Sequence, residues 1–232
     1  MFVNHDKQRF VTAFRGTQGR TQLLQEFLHS GAVTYDLHPI NNAMATKYFF
    51  HKYKEFLRQS FLAHLEAATQ THPDFEFYMV GHSLGGAFAS LAVIDIKHTE
   101  LIDKERVHLY TYGSPRVGDI NLAREIINSV NENYRVTHKR DIVPHLPPCI
   151  PNLQGGCSAW ETHGSQDGYP IYSAYHVWPE VFYNGSGPNG FVVCESPEDA
   201  KCSNQYSLFF GSIDDHRNYL GVSTRCLGKG VV

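Results

Sequence analysis

Apolar and polar residues alternate along this chain in two rhythms, one typical of buried strands and one typical of helices. Short apolar runs bounded by turn residues predict strands at 9–14, 75–80, 107–112, 133–138, 181–183 and 191–194. Apolar residues at three- and four-residue spacing predict helices at 21–28, 47–69, 84–97 and 121–129. Because strands and helices alternate, the predicted fold class is α/β, with a mostly parallel central sheet.

The composition is that of a globular protein, and it excludes several classes of function. The chain has 232 residues, of which 42% are hydrophobic and 19% are charged, so residues 1–232 can form one domain with a full core. Twenty basic against 23 acidic residues give a formal net charge of −3, which provides no basic surface for nucleic acid. No apolar run approaches the ~18 residues that a membrane-spanning helix needs.

The strongest chemical signal is a serine between two glycines at a predicted strand-to-helix junction. Residues 81–85 read Gly-His-Ser-Leu-Gly, which is the G-x-S-x-G pattern in the context it requires. A serine on so sharp a turn has strained backbone angles, and neighbours with side chains would collide there. The following helix N-terminus directs N–H groups at the place where an oxyanion would form. We therefore predict Ser83 as a nucleophile and the Leu84 N–H as an oxyanion donor.

A carboxylate should follow the nucleophile in the chain, because α/β-hydrolase-type sequences have the order serine, acid, histidine. Asp141 comes just after the predicted strand 133–138, and the carboxyl ends of parallel strands share one edge of a sheet. Asp119 is the second candidate, although a role as a loop anchor, with Arg116, explains it more simply. We predict Asp141 as the acid.

The histidine that accepts the serine proton is less clearly marked. His145 lies only four residues after Asp141, and His163 lies in a glycine-rich loop with no distinguishing feature. His176 and His216 remain, and position alone leaves both open.

A second oxyanion donor is expected from the loop after an earlier strand. Residues 14–17 read Phe-Arg-Gly-Thr and follow the first predicted strand. Thr17 offers both an N–H and a hydroxyl, and the alternative is that it only caps the helix that follows.

All five cysteines lie between residues 149 and 226, in polar surroundings. Cys149 with Cys157, and Cys194 with Cys202, could each close a short surface loop. None forms a C-x-x-C pair, and no His/Asp cluster has metal-ligand spacing, so no metal is expected. Asn184-Gly185-Ser186 is a sequon for N-glycosylation. Together these features favour an extracellular or lumenal setting.

The two ends of the chain raise a related question. The start, Met1 to Asp6, lacks the apolar core of a signal peptide, and Cys226 is left over once the other cysteines are paired. We expect that residues precede Met1 in the complete protein, and that Cys226 pairs with an upstream cysteine.

Taken together, these motifs resemble the fungal-type triacylglycerol lipases of the class 3 lipase family. The resemblance runs from Arg9 to the C-terminus. Its landmarks are 14–17 (FRGT), 81–87 (GHSLGGA), 112–119 (YGSPRVGD), 140–148 (RDIVPHLPP), 175–176 (YH), 180–183 (EVFY), Cys194, 202–203 (CS), 215–216 (DH) and 219–221 (YLG). It implies an α/β-hydrolase-like fold with helices on both faces of the sheet, here lacking the N-terminal part.

The resemblance also implies roles for individual residues. It assigns Ser83, Asp141 and His176 as the catalytic triad, and leaves His216 a structural role. Thr17 matches the family's oxyanion position, and no cofactor is implied.

Disulfides and a lid follow from the same resemblance. Cys194 with Cys202 matches a short C-terminal loop pair, and Cys226 matches a cysteine bonded to an N-terminal helix. Cys149 with Cys157 is not part of the fungal pattern. The segment 18–30 corresponds to an amphipathic lid, with a core helix as the alternative.

The implied function is that of a secreted triacylglycerol lipase, which hydrolyses a lipid or other ester at an oil–water interface through an acyl-enzyme. Another esterase, such as a phospholipase A1 or a feruloyl-type esterase, would share the site and differ in lid and pocket. A non-catalytic lipid-binding relative is the alternative of a different class. The oligomeric state is not predicted.

Overall fold

The structure is a computed structural model, which describes residues 1–16, 31–40, 42–149, 173–185 and 189–224. The strands there are β1 Phe2–Asn4, β2 Arg9–Phe14, β3 Ala32–Thr34, β4 Met44–Thr46, β5 Glu76–His82, β6 Val107–Tyr112, β7 Glu132–His138, β8 Glu180–Tyr183, β9 Phe191–Cys194, β10 Asn218–Tyr219 and β11 Val222–Ser223. The α-helices are α1 Lys47–Lys52, α2 Arg58–Thr71, α3 Leu84–Thr99, α4 Ile120–Asn128 and α5 Ile213–His216.

The central sheet has the strand order β1-β2-β5-β6-β7-β8-β9. Strands β2, β5, β6, β7 and β8 run parallel to one another, while β1 and β9 join the two edges antiparallel. The prediction of an α/β fold with a mostly parallel sheet is confirmed. The helix predicted at 47–69 is present, but it is divided by a π-helical segment, Tyr53–Leu57, between α1 and α2. The helix predicted at 21–28 lies outside the described residues.

Helix α3 is the buried centre of the molecule. Every residue from Leu84 to Ile96 is buried, as expected of a helix that is apolar on all sides. Its first turn lies close to the sheet, because a Cβ added at Gly85 would stand 2.1 Å from the carbonyl oxygen of Phe14 in β2. The small residues that open this helix therefore let it begin directly against the strands.

Three neighbouring strands end at the same edge of the sheet. Strands β5, β6 and β7 are adjacent and parallel, with His82 beside Tyr112 and Tyr112 beside Val136 in register. The residues that follow them are Ser83, Gly113 and, three positions after β7, Asp141. Parallel pairing thus gathers three chain segments at one edge, as in open α/β sheets generally.

The structure describes only some of the cysteines and the sequon asparagine that the sequence singles out. Cys194 and Cys202 form a disulfide with an S–S distance of 2.09 Å, as expected. Cys149 is disulfide-bonded, while its expected partner Cys157 and the unassigned Cys226 lie outside the described residues. Asn184 is exposed, and its side-chain oxygen accepts a hydrogen bond from the Tyr206 hydroxyl. Within the described ranges, no helix combines the length and apolar character needed to span a bilayer.

Candidate active site

The turn that carries Ser83 has the strained geometry predicted from its sequence. Ser83 has φ 59° and ψ −131°, which non-glycine residues rarely adopt. Its N–H donates to the Tyr112 carbonyl of β6 at 2.9 Å, and its carbonyl accepts the Gly86 N–H at 2.9 Å. These bonds fix the serine between β5 and the first turn of α3.

Close packing around this turn leaves no room for side chains at neighbouring glycines. A Cβ at Gly81 would lie 2.1 Å from the Gly85 carbonyl oxygen. A Cβ at Gly16 would lie 2.8 Å from the His82 carbonyl oxygen and 3.2 Å from the Ser83 Cβ. The loop after β2 therefore lies against the nucleophile turn as far as Gly16. Thr17, the expected oxyanion donor that comes next, lies outside the described residues.

Asp141 is buried at this edge, and both of its carboxylate oxygens are engaged. Oδ1 accepts the Val143 N–H at 2.9 Å. Oδ2 accepts from Nδ1 of His216 at 2.9 Å and from the hydroxyl of Tyr219 at 2.5 Å. The acid predicted from the sequence is thus paired with a histidine, but that histidine is residue 216.

The segment that carries His216 is attached to the acid loop and to the nucleophile turn. The Ser212 N–H donates to the Arg140 carbonyl at 2.6 Å, so the two segments run side by side. Nε2 of His82 donates to the His216 carbonyl at 2.8 Å, and the two imidazole rings stack 4.5 Å apart. His216 therefore lies between Asp141 and the residue that precedes Ser83. Among the described residues, the buried Ser83 hydroxyl has no hydrogen-bond partner.

Gly113 leaves the space in which this acid–histidine pair sits. Its φ is +55°, and a Cβ there would lie 2.5 Å from Oδ2 of Asp141, 2.7 Å from the Tyr219 hydroxyl and 3.0 Å from Nδ1 of His216. Both the backbone conformation and the available space therefore require glycine.

The expected pairing of Asp141 with His176 is contradicted. Nε2 of His176 contacts the Pro144 carbonyl oxygen at 2.6 Å, and its backbone N–H donates to Oε1 of Glu198 at 2.9 Å. Burial, followed by the charge of the Arg135 guanidinium, lowers the pKa of His176 well below its usual value. A histidine held neutral and turned to a carbonyl is not oriented by the acid, so the expected contact is corrected: Asp141 pairs with His216 and not with His176.

His82, next to the nucleophile, is also held neutral. Burial first, and then the nearby His216, lower the pKa of His82 to about 4, against a smaller opposing effect of its bond to the His216 carbonyl. At neutral pH it therefore donates a hydrogen bond without adding a positive charge beside the acid–histidine pair.

The remaining sequence candidates have other places in the fold. Asp119 caps helix α4, where its Oδ1 accepts the Leu122 N–H at 2.9 Å, so its interpretation as an anchor is confirmed. Its expected partner Arg116 pairs instead with Glu198. His145 is buried in the acid loop, and His163 lies outside the described residues. Within the described ranges, no three His, Cys, Asp or Glu side chains come together as metal ligands.

The sequence analysis gave His216 a structural role, and it gave Tyr219 no role at the site. Both lie in the segment Asp214-Asp215-His216-Arg217-Asn218-Tyr219, which makes three hydrogen bonds to Arg140 and Asp141 of the acid loop and one to His82 of the nucleophile turn. The usable signal was the aspartate–histidine pair followed by a tyrosine three residues later, but nothing local shows that this turn returns to Asp141.

Comparisons with known proteins agree with this architecture. The family model described as lipase (class 3) matches residues 11–150. A lipase of Caenorhabditis elegans is 31% identical over 237 residues, covering 96% of this chain and 65% of the relative. A lipase of Rhizomucor miehei is 30% identical over 188 residues, covering 80% of this chain and 46% of the relative. The chain thus spans between about half and two thirds of the length of these relatives.

Solved structures give the same result for the fold. The triacylglyceride lipase of Rhizomucor miehei superposes with a TM-score of 0.76 at 27% identity, over 95% of this chain and 74% of that chain. A triacylglycerol lipase whose catalytic centre is formed by a serine protease triad superposes with a TM-score of 0.77, again at 27% identity, over 94% and 74%. The fold is therefore of the α/β-hydrolase type, and the chain belongs to the class 3 lipase family.

Proposed function

We propose that this protein is a carboxylic ester hydrolase in which Ser83 is the nucleophile, His216 the general base and Asp141 the orienting acid. The observation that carries the proposal is the 2.9 Å contact between Nδ1 of His216 and the Asp141 carboxylate, at the sheet edge where the strained Ser83 stands. That combination of a strained serine, a histidine and a buried acid is the recurring arrangement of acyl-transfer enzymes.

The proposed chemistry proceeds in two halves. The Ser83 hydroxyl attacks the ester carbonyl while its proton passes to Nε2 of His216, and the new oxyanion is held by the N–H of Leu84 and by Thr17. His216 then gives this proton to the departing alcohol, which leaves an acyl-serine. Water attacks the acyl-serine by the same route, with His216 again accepting and returning the proton. Asp141 holds the imidazole tautomer and stabilises the imidazolium in both halves.

The substrate class that we propose is a lipid ester, most simply a triacylglycerol. Two relatives that act on acylglycerols support this substrate class. One is the triacylglyceride lipase of Rhizomucor miehei. The other is a secreted mono- and diacylglycerol lipase of Fusarium solani, which is 43% identical over 88 residues, covering 38% of this chain and 25% of the relative. The second relative and the Cys194–Cys202 disulfide also support an extracellular location.

An exposed apolar turn beside the site supports action at a lipid surface. Phe209 and Phe210 are 93% and 71% exposed on the 3₁₀ turn Leu208–Phe210. The next residues, Gly211 and Ser212, pack on the acid loop at Ile142 and Arg140. Exposed aromatic side chains at the rim of an active site are suited to contact with lipid.

The catalytic proposal is tested by a matched pair of serine variants. Ser83→Ala should lower the rate on a soluble p-nitrophenyl ester by ~10⁴-fold or more and abolish labelling by a fluorophosphonate. Ser90→Ala is the control, because Ser90 is equally buried, on the helix that follows Ser83, and its hydroxyl donates to the Gly86 carbonyl. A wild-type rate in Ser83→Ala would refute the mechanism, and no hydrolysis by the unmodified protein would favour a non-catalytic relative.

The lipid proposal is tested by the ratio of two rates. We expect Phe209→Ser combined with Phe210→Ser to lower hydrolysis of emulsified triacylglycerol by about tenfold, because less apolar surface enters the lipid. Hydrolysis of the soluble ester should be unchanged. If both rates changed by the same factor, or if only soluble esters were hydrolysed, an esterase of another specificity would be the better description.

A further inference from the structure

The orientation of the Asp141 carboxylate depends on the short turn that follows it. Val143 donates its N–H to Oδ1 of Asp141, and Val143 also begins the 3₁₀ turn Val143–His145. That turn is closed by the Leu146 N–H, which donates to the Val143 carbonyl at 2.9 Å. A shift of the turn would therefore rotate the carboxylate away from His216.

Three carbonyl groups of this loop are held from outside by two residues. Nε2 of His176 lies 2.6 Å from the Pro144 carbonyl oxygen. Arg116 donates its backbone N–H to the Leu146 carbonyl at 2.8 Å and its Nη1 to the Pro147 carbonyl at 3.1 Å. Because a carbonyl can only accept, Nε2 is the protonated nitrogen of His176.

The two residues are joined to each other by a buried carboxylate. Glu198 pairs with Nε and Nη2 of Arg116 at 3.0 and 2.7 Å, and its Oε1 also accepts the His176 backbone N–H at 2.9 Å. All three side chains are almost completely buried, and the Asn204 side chain gives Glu198 a further donor at 2.7 Å. A bidentate, fully hydrogen-bonded buried pair of this kind fixes geometry strongly. We refer to His176, Glu198 and Arg116 together as the clamp.

We propose that His176 is a positioning residue which, as part of the clamp, fixes the Pro144 carbonyl and so keeps the Asp141 carboxylate directed at His216. Its effect on catalysis rests on the proposed function, whereas its effect on the Asp141–His216 contact does not. It touches neither Ser83 nor Asp141 through any hydrogen bond of the described residues, which distinguishes it from the triad.

The kinetic test compares two substitutions at His176. His176→Leu removes the N–H donor, and His176→Gln retains one near the position of Nε2. Measured on a soluble p-nitrophenyl ester and expressed per fluorophosphonate-titrated site, kcat of the Leu variant should fall on the order of 10²-fold with KM within about twofold. The Gln variant should recover at least about tenfold of that loss. The acidic limb of the pH–rate profile should move to lower pH in the Leu variant, because a misdirected carboxylate stabilises the imidazolium less.

A spectroscopic test measures the contact without any turnover. In protein labelled with ¹⁵N-histidine, the His216 Nδ1 proton bonded to Asp141 is identified by its loss in His216→Gln. This resonance should move upfield or broaden in His176→Leu and return in His176→Gln. His108→Leu is the control. His108 is also a buried histidine, but it lies at the amino end of β6, whereas the site lies at the carboxyl end of that strand. If the Leu variant is not recovered folded, His176→Met fills similar space without a donor and replaces it.

The outcomes separate the possible failures. A wild-type kcat per site together with an unmoved His216 resonance in the donor-free variants would overturn the positioning role. A lower melting temperature with an unmoved resonance and an unmoved acidic limb would also overturn it, since only stability would then depend on His176. If the unmodified protein hydrolysed no ester but the resonance responded as expected, the proposed function would fail and the positioning role would stand.

Discussion

His216 and His176 are two buried histidines that serve one loop in opposite ways. They are 4% and 2% exposed, and each directs a ring nitrogen at an oxygen of the segment that begins at Asp141. His216 faces the carboxylate itself, with the Tyr219 hydroxyl on the same oxygen. His176 faces a backbone carbonyl three residues further on.

Their electrostatic surroundings explain the difference. Burial and the guanidinium groups of Arg135 and Arg116 lower the pKa of His176, so it remains a neutral hydrogen-bond donor. His216 has an acid that can stabilise its protonated form during proton transfer. Burial is therefore a poor guide to the role of a histidine, whereas the acceptor that its ring faces is a good one.

The different roles of His216 and His176 are tested most directly by making the same substitution at both positions. His216→Gln should lower kcat/KM on a soluble ester by ~10⁴-fold, because no group remains to accept the serine proton. His176→Gln should stay within about tenfold of wild type, because a positioning donor is retained. Steady-state kinetics on both variants decide the matter, and the reverse order of losses would restore His176 as the base.

A smaller loss of kcat is expected when a methyl group is added next to the Asp141–His216 pair. Gly113→Ala would place a methyl group against Asp141 and His216 at a positive φ, and a displaced pair should cost on the order of 10²-fold in kcat. Gly185→Ala is the control, because a Cβ there has no neighbour within 4 Å in the part of the chain that the structure describes. The prediction fails if both alanine variants have the wild-type kcat per titrated site.

The smallest effect concerns the neutral histidines and the pH dependence of stability. Burial is the main cause that lowers the pKa of His82 and of His145 to about 4, against an ordinary value of 6.5. Between pH 6.5 and 4 the unfolded chain binds more protons than the folded one at these positions. The free energy of unfolding therefore falls as the pH falls through that window, and their contribution is complete above pH 6.5.

Substitution of one of these histidines measures how much it contributes to the pH dependence of the free energy of unfolding. His145→Gln should reduce the slope of unfolding free energy against pH by about 1.4 kcal/mol per pH unit between pH 4.5 and 6, as urea unfolding would show. Above pH 6.5 the curves of variant and wild type should run parallel. An unchanged slope would mean that His145 binds its proton as readily in the folded protein as in the unfolded chain.

Local patterns were sufficient wherever a feature depends on neighbours in the chain. The Ser83 turn was predictable, because the glycines and the strand and helix that flank it determine its conformation within a few residues. Asp141 was also predictable, since it follows β7 and parallel strands align their carboxyl ends. Within the described residues, the bounds of the predicted helices and strands follow the apolar spacing closely, apart from the π-helical segment Tyr53–Leu57 between α1 and α2.

The base could not be chosen in the same way. His216 reaches Asp141 across 75 residues, through the pairing of Ser212 with the acid loop, and His176 reaches Pro144 across 32. In the sequence, both histidines have polar neighbours that would suit a catalytic base. The family resemblance matched landmarks around both and implied that His176 pairs with Asp141, whereas the structure pairs Asp141 with His216.

The sequence by itself determined the α/β class, the order of strands β2 and β5 to β9 with the helices between them, the Ser83 turn and the position of Asp141, because each follows from periodicity or from a short steric requirement. Only the tertiary structure decided which histidine meets the acid and which holds its loop, because that depends on which distant segments pack together at the carboxyl edge of the sheet.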